Sequence, residues 1–243
     1  MGELKRLRAQ CGNGVNCPSI DRRAEGGLVV TGERIDNPDL PAHEASVLVP
    51  DTLLPEVASL DIPDLASYLS QRHTADLFRL ETLDWYDVSS DDDDYYRYVS
   101  GAPAPEASVK DRWLDQLRAD RAAGRQWRRV HALRSPLNDY LRYECEWCYT
   151  YNVAAGEDVR ILDVTEAPAG AALLGVGDFF AVDGEHVVRS RYNTGGRFLS
   201  AVAVGTADRG AYVALAELAW QMGTPFAAWW AAHPEYHRAT PAA

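Results

Sequence analysis

Four carboxylates and two arginines carry the most chemistry in this chain: Glu144, Glu157, Asp158 and Asp178, with Arg160 and Arg189. Two carboxyl groups held together can divide the work of an acid and a base. Arg160 and Arg189 fall in period-two runs, where a guanidinium calls for a carboxylate partner or a ligand. One arrangement is an acid–base pair. The other is a structural network in which Glu144 or Asp178 pairs with Arg160 or Arg189 across a sheet, leaving Glu157 and Asp158 solvated in a turn. Cys145-Glu146-Trp147-Cys148 adds a CxxC motif. With Cys11 and Cys17 it could offer zinc four thiolates, although Cys11 and Cys17 lack knuckle spacing. Cysteines three apart near a helix end also pack simply as core, which is the expectation here, and no cofactor is expected.

Other candidates are weaker. Arg121, Arg125, Arg128, Arg129 and Arg134 form a basic patch suited to phosphate or DNA, but equally to intramolecular pairing, for instance with Ser89–Asp94 (SSDDDD). That acidic run reads as a solvated linker, because contiguous charges splay around the backbone and do not converge on a cation. Trp220, Phe226, Trp229 and Trp230 are dense enough to pack the last helix or to anchor an interface through Trp229 and Trp230. Neither a nucleophile elbow nor a glycine-rich phosphate loop is present.

The elements that must position these residues follow from periodicity. Residues 1–60 hold short β-branched runs, Leu28-Val29-Val30 and Ser46–Val49, broken by glycine and proline, and predict a small β-rich domain; Asp51-Thr52 could cap a short helix there. Residues 61–106 form a helical and linker segment, its helix starting near Pro63, with a strand at 75–90. Residues 107–232 form the core domain: a helix over 110–125, a strand over 126–133, a helix opened by Pro136 with Tyr140 and Glu144 on one face, a strand from Glu157, a hairpin turning at Asp183-Gly184, a further strand and two closing helices. Residues 233–243 read as a tail. The fold class is α/β (α+β), a mixed sheet with flanking helices.

With 47% apolar residues there is ample material for a core. A net charge of −12 and a pI near 4.9 exclude general affinity for nucleic acid or anionic membrane. The N-terminus lacks an apolar run behind its basic residues, and nothing approaches the length of a membrane span. A cytoplasmic protein with reduced thiols is expected.

Phe78–Thr82, Trp113-Leu114, Arg129-Val130, Pro136–Tyr140, Tyr151-Asn152, Gly156–Ile161 and Asp178-Phe179 together resemble an actinobacterial family of unknown function associated with helix-turn-helix regulators, over roughly residues 75–232. Cys17–Ile20, Leu28–Val30 and Val47–Pro50 resemble a second small actinobacterial family. The later half is also similar to a phospholipase-D-like half-domain used in regulation. The catalytic histidine–lysine pattern of that superfamily is missing, since Ala132-Leu133 follow His131 and Val187-Val188 follow His186. These resemblances imply a non-enzymatic regulatory or interaction protein partnering a helix-turn-helix regulator, with no direct contact to nucleic acid or membrane. The alternative is a small-ligand or nucleotide-binding module, or an enzyme, using Arg160 and Arg189 with nearby carboxylates. The ligand or interaction candidates are Arg79, Glu81, Tyr140, Glu144, Arg160, Asp178 and Arg189.

Overall fold

A computed structural model describes residues 4–9, 18–23, 28–35, 46–48, 61–87 and 94–238. The chain divides into two compact units, Met1–Asp61 and Ile62–Ala243. Cys11, Cys17, the cap at Asp51-Thr52 and most of the acidic run lie outside the described residues.

The first unit is β-rich. Strands β1 (Leu4–Ala9), β2 (Ser19–Arg23) and β3 (Leu28–Thr31) form an antiparallel sheet, and β4 (Glu33–Ile35) pairs with β5 (Ser46–Leu48).

The second unit is α/β, built on a mixed sheet. Its strands are β6 (Asp61–Ile62), β7 (Asp76–Glu81), β8 (Gln126–Leu133), β9 (Asp158–Asp163), β10 (Phe179–Val182), β11 (His186–Tyr192), β12 (Phe198–Ala203) and β13 (Thr224–Pro225). They lie in the order β13-β9-β8-β7-β10-β11-β12-β6. The central β7, β8 and β9 are parallel, while β10 to β12 form an antiparallel meander on β7. Parallel neighbours need crossovers. Helices α2 (Asp94–Val99) and α3 (Ala107–Ala122) join β7 to β8. A second helical stretch, α4 (Asp139–Tyr143), a π-helical turn (Glu144–Tyr149) and α5 (Thr150–Ala155), joins β8 to β9. Helix α1 (Leu65–Arg72) precedes β7, and α6 (Thr206–Met222) and α7 (Phe226–Ala232) close the chain.

Local chemistry sets the element ends. Asn138, not Pro136, starts α4: its side chain accepts a hydrogen bond from the Leu141 amide. Gly156, at φ 116, ends α5 in the left-handed conformation that glycine adopts freely. The β10–β11 loop holds three residues, not the two expected, because Val182 pairs with His186; Asp183 and Gly184 both take positive φ, and the Glu185 amide donates to the Val182 carbonyl.

Alternation along the strands divides the core in two. Phe78, Leu80, Val130, Ala132 and Leu162 face α6 with Phe179 and Ala181. On the opposite face Leu133, Val159 and Ile161 pack under the α4–α5 stretch with Tyr143, Tyr149, Phe226 and Trp229. On that second face the middle of the sheet carries Arg79, Glu81, Arg129 and His131. The register sets Arg79 beside Arg129 and Glu81 beside His131. A polar island thus lies between a sheet and its covering helices.

Candidate functional site

The polar island is held by charge pairing. Both Glu81 oxygens accept from Arg129 Nη1 at 2.9 Å, and Oε1 also pairs with Arg79 Nη2 at 2.8 Å. Arg129 Nε donates to Glu157 at 2.8 Å, and Asn152 donates to the other Glu157 oxygen at 2.7 Å. Two cations and two anions cancel, which is the condition for burying them. Burial alone would raise the Glu81 pKa, but Arg129 and Arg79 outweigh it and hold the carboxyl down at about 2.

The π-helical turn adds the next layer. Five residues along an α-helix advance about 140° around the axis, so Glu144 and Tyr149 would point apart. The wider i→i+5 turn brings them together, with Tyr149 Oη 3.3 Å from Glu144 Oε2. Tyr140, one turn earlier, donates to Glu144 Oε1 at 3.1 Å. Burial pushes the Glu144 carboxyl up to about 7; Glu81 adds to the rise and His131 opposes it.

The proton positions follow from the partners. His131 is fully buried, and its Nε2 lies 2.9 Å from the Leu83 carbonyl, which can only accept. That assigns a proton to Nε2. Nδ1 lies 2.7 Å from Tyr149 Oη and 3.4 Å from Glu144 Oε2. Tyr149 has one hydrogen and three neighbours that could take it: His131 Nδ1, Glu144 Oε2, and Glu81 Oε2 at 3.1 Å. If the phenol donates to His131, its oxygen faces two carboxylates, which is favourable only when Glu144 carries a proton and donates back. His131, Tyr149 and Glu144 thus form one continuous hydrogen-bonded chain, with the raised carboxyl of Glu144 at its end.

Glu81, Arg129, Tyr140, Glu144, Tyr149 and Asn152 line a cavity of about 380 Å³ with Arg79, Tyr86, Asp94, Lys110, Trp113, Tyr143 and Cys148, and His131 lies buried behind it. Charged groups and aromatic rings share its wall, Tyr86, Trp113, Tyr140, Tyr143 and Tyr149 supplying the rings, and convergent polar groups beside aromatic surface are features of a small-ligand site. A larger hollow of about 470 Å³ over Tyr96 to Ala102 has one charged side chain, Arg97, already paired with Asp94 and Glu106. It lacks converging chemistry.

The candidates read from sequence scatter over this frame. Arg79, Glu81, Tyr140 and Glu144 meet at the cavity. Asp178 lies close by, accepting from Tyr86 Oη at 2.7 Å and from the Thr82 amide and hydroxyl, with burial raising its pKa. Arg160 is on the opposite face, donating to the Trp220 and Gly223 carbonyls with its guanidinium over the Trp220 ring. Arg189 is exposed. Neither arginine meets the carboxylates expected of it. Glu157, expected in a solvated turn, is buried against Arg129; Asp158 is exposed.

Four arginines of the patch, Arg129 among them, are drawn into internal bonds, while Arg134 is exposed. Arg125 pairs with Asp120, Arg128 with Asp76 and Glu217, and Arg121 with the Gly156 carbonyl. Cys145 is a buried core residue whose thiol pKa burial pushes up, and Cys148 receives a hydrogen bond from Lys110 Nζ at 3.3 Å. No group of three or more potential metal ligands occurs among the described residues. Trp229 is buried and Trp230 half-buried, both stacked on neighbouring rings. The residues missed as a site are Arg129, His131 and Tyr149 with Asp94. The signal for the first two was available: Arg129 and His131 alternate on one face of a strand that is otherwise apolar toward its end.

Fold and site together define an α/β domain with a charge-compensated polar cavity beneath its crossover helices. Residues 63–231 match the family model described as a domain of unknown function (DUF6879), and the chain belongs to that family. No curated protein matches the chain. Among the described residues no helix is long and apolar enough to cross a membrane.

Proposed function

We propose that the larger unit is a small-ligand-binding domain with a regulatory role, the ligand entering the cavity above Glu81 and Glu144. The observation that carries this reading is the convergence of buried polar groups on a space of about 380 Å³, within the range of small-molecule sites. The resemblance to families that accompany regulators supports a regulatory use of binding. The test is a thermal-shift panel of small molecules of varied charge, run on the wild type and on Cys148→Phe, which places a ring in the cavity wall. Ligands that raise the melting temperature of the wild type only support the reading; a panel without any such ligand refutes it.

One observation favours a protein partner as well. Helix α2 packs Tyr95 and Tyr98 against Tyr143 of the cavity wall while Tyr96 and Val99 are 63% and 47% exposed. A helix-turn-helix regulator docking on that outer face would contact the element that closes the cavity. Binding of such a purified regulator, abolished by Tyr96→Asp, is the expected result. Undiminished binding by the variant, or none by the wild type, refutes it.

A further inference from the structure

Charge on the wall of this cavity is balanced. Three cationic side chains, Arg79, Arg129 and Lys110, stand among three carboxyl groups, Glu81, Asp94 and Glu144. Most of their atoms are satisfied. Both Glu81 oxygens and the Nε and Nη1 groups of Arg129 are paired, Glu144 accepts from Tyr140, and Lys110 donates to the Trp147 carbonyl and Cys148. Two atoms are left over, and they are of opposite kind. Arg79 meets Glu81 through Nη2, while its Nε is a buried donor without a partner. Asp94 is 1% exposed and uses Oδ1 to accept from the Glu106 amide at 2.9 Å and to meet Arg97, while its Oδ2 is a buried acceptor without one. No other described residue lining the cavity has a buried side-chain polar atom in that condition. Each such atom costs on the order of 1–3 kcal/mol, and a ligand that satisfies both relieves both costs.

The donor and the acceptor belong to different elements. Arg79 stands on β7 in the sheet floor, and Asp94 opens α2 in the crossover above it. One molecule meeting both must present an acceptor to the guanidinium and a donor to the carboxylate. The geometry points to a small zwitterion, a molecule bearing one carboxylate and one primary ammonium as an amino acid does, with its carboxylate on Arg79 and its ammonium on Asp94. This rests on the ligand-binding reading above and names the ligand's chemistry. A zwitterion brings no net charge to a wall that holds as many cationic groups as carboxyls, and each of its heads leaves water for a group of opposite sign. Charge-assisted hydrogen bonds are roughly twice as strong as neutral ones, which favours ionised heads over an amide carrying the same donor and acceptor. The rings of Trp113, Tyr140, Tyr143 and Tyr149 offer the rest of the ligand an aromatic surface.

Four probes on one skeleton test this: phenylalanine, which carries both heads, phenethylamine without the carboxylate, 3-phenylpropanoate without the ammonium, and the neutral 3-phenylpropanamide. Each is titrated calorimetrically into the full chain at about pH 7, where ammonium and carboxylate are both ionised. Phenylalanine is expected to bind at least roughly tenfold tighter than each of the others, a hydrogen bond to a charged group being worth about 1.5–3 kcal/mol. Two variants assign the heads. Arg79→Lys keeps a cation beside Glu81 but has no Nε, and should weaken phenylalanine and 3-phenylpropanoate while sparing phenethylamine. Asp94→Asn keeps an oxygen for the Glu106 amide but turns the other acceptor into a donor, and should weaken phenylalanine and phenethylamine while sparing 3-phenylpropanoate. Circular-dichroism melts confirm that both variants fold, and the ranking on the wild type stands without them. A one-headed or neutral probe binding as tightly as phenylalanine overturns the zwitterion and leaves a ligand-binding cavity standing. A variant that weakens all four probes alike overturns the assignment of heads. No binding of phenylalanine overturns the proposal, while the broader thermal-shift panel decides separately whether the cavity binds anything.

Discussion

Replacing Glu144 by glutamine should make the protein more stable, but only at neutral and alkaline pH. Burial raises this carboxyl from 4.5 to about 7. At about 1.4 kcal/mol per unit, that displacement of roughly two and a half units corresponds to about 3 kcal/mol. The sign follows from proton uptake. Between about pH 4.5 and pH 7 the folded protein holds a proton that the unfolded chain has released, so stability falls as pH rises through that window. Below it both states are protonated and the cost is absent; above it the cost is complete. The amide of glutamine cannot titrate, and it can still accept from Tyr140 and donate toward Tyr149. Urea denaturation across about pH 5 to 8.5 is the assay. The variant is expected to match the wild type within roughly 1 kcal/mol at the acid end and to exceed it by about 2–3 kcal/mol at the alkaline end. Asp178, also raised by burial, contributes the same slope to both proteins and cancels in the difference. A difference that does not change with pH would refute the reasoning, because it would mean Glu144 gives up its proton as readily folded as unfolded.

The rest of the network gives further expectations. Arg129→Met strands Glu81 and Glu157 without their shared cation and should cost about 3–5 kcal/mol by denaturant unfolding; a loss below about 1 kcal/mol would show that water reaches them. Glu81, held at about 2, contributes stability that is complete above about pH 4.5 and lost as pH falls toward 2, so Glu81→Gln should flatten the acid limb of the stability curve. An unaltered acid limb would place that slope elsewhere. Asp183 accepts from the Thr74 amide and hydroxyl and from the amides of Ala75 and Asp76; Asp183→Ala should cost about 2–3 kcal/mol through those donors and the positive φ it must keep, and a thermal melt close to wild type would count against it. Alkylation read site by site should modify Cys148 well before buried Cys145, and equal rates would contradict the packing described.

Period-two runs and turn residues made the sheet's strands legible, because strand alternation and hairpin chemistry are local properties. Val130-His131-Ala132-Leu133 reads as a buried strand in any context, and Asp183-Gly184 as its kind of turn. Helix ends were less legible. Pro136 drew the start of α4 too early, since a side-chain cap at Asn138 competes with a proline for that role and only the backbone path decides between them. Four residues of the site, Arg79, Glu81, Tyr140 and Glu144, could be singled out because charged or phenolic groups sit among apolar neighbours. Pairing them was beyond reach. Arg160 and Arg129 are both arginines on adjacent parallel strands, yet Val130, not Arg129, sits opposite Arg160 in the register, so the two point to opposite faces. A one-residue shift of register would exchange their roles.

The CxxC motif illustrates the same division. Its spacing admitted a metal reading beside the core packing expected of it, and the fold uses Glu144–Tyr149 as a π-helical turn in which Cys145 fills the core and Glu144 and Tyr149 do the polar work. From the sequence alone came the class of fold, the location of the strands and the candidate carboxylates, because burial preference and backbone propensity act over a few residues. The tertiary structure decided which carboxylate is neutralised and which keeps a displaced proton. That depends on charges more than 45 positions apart along the chain, Glu81 with Arg129 at 2.9 Å, and Coulomb energy is set by distance in space and by the water that burial removes.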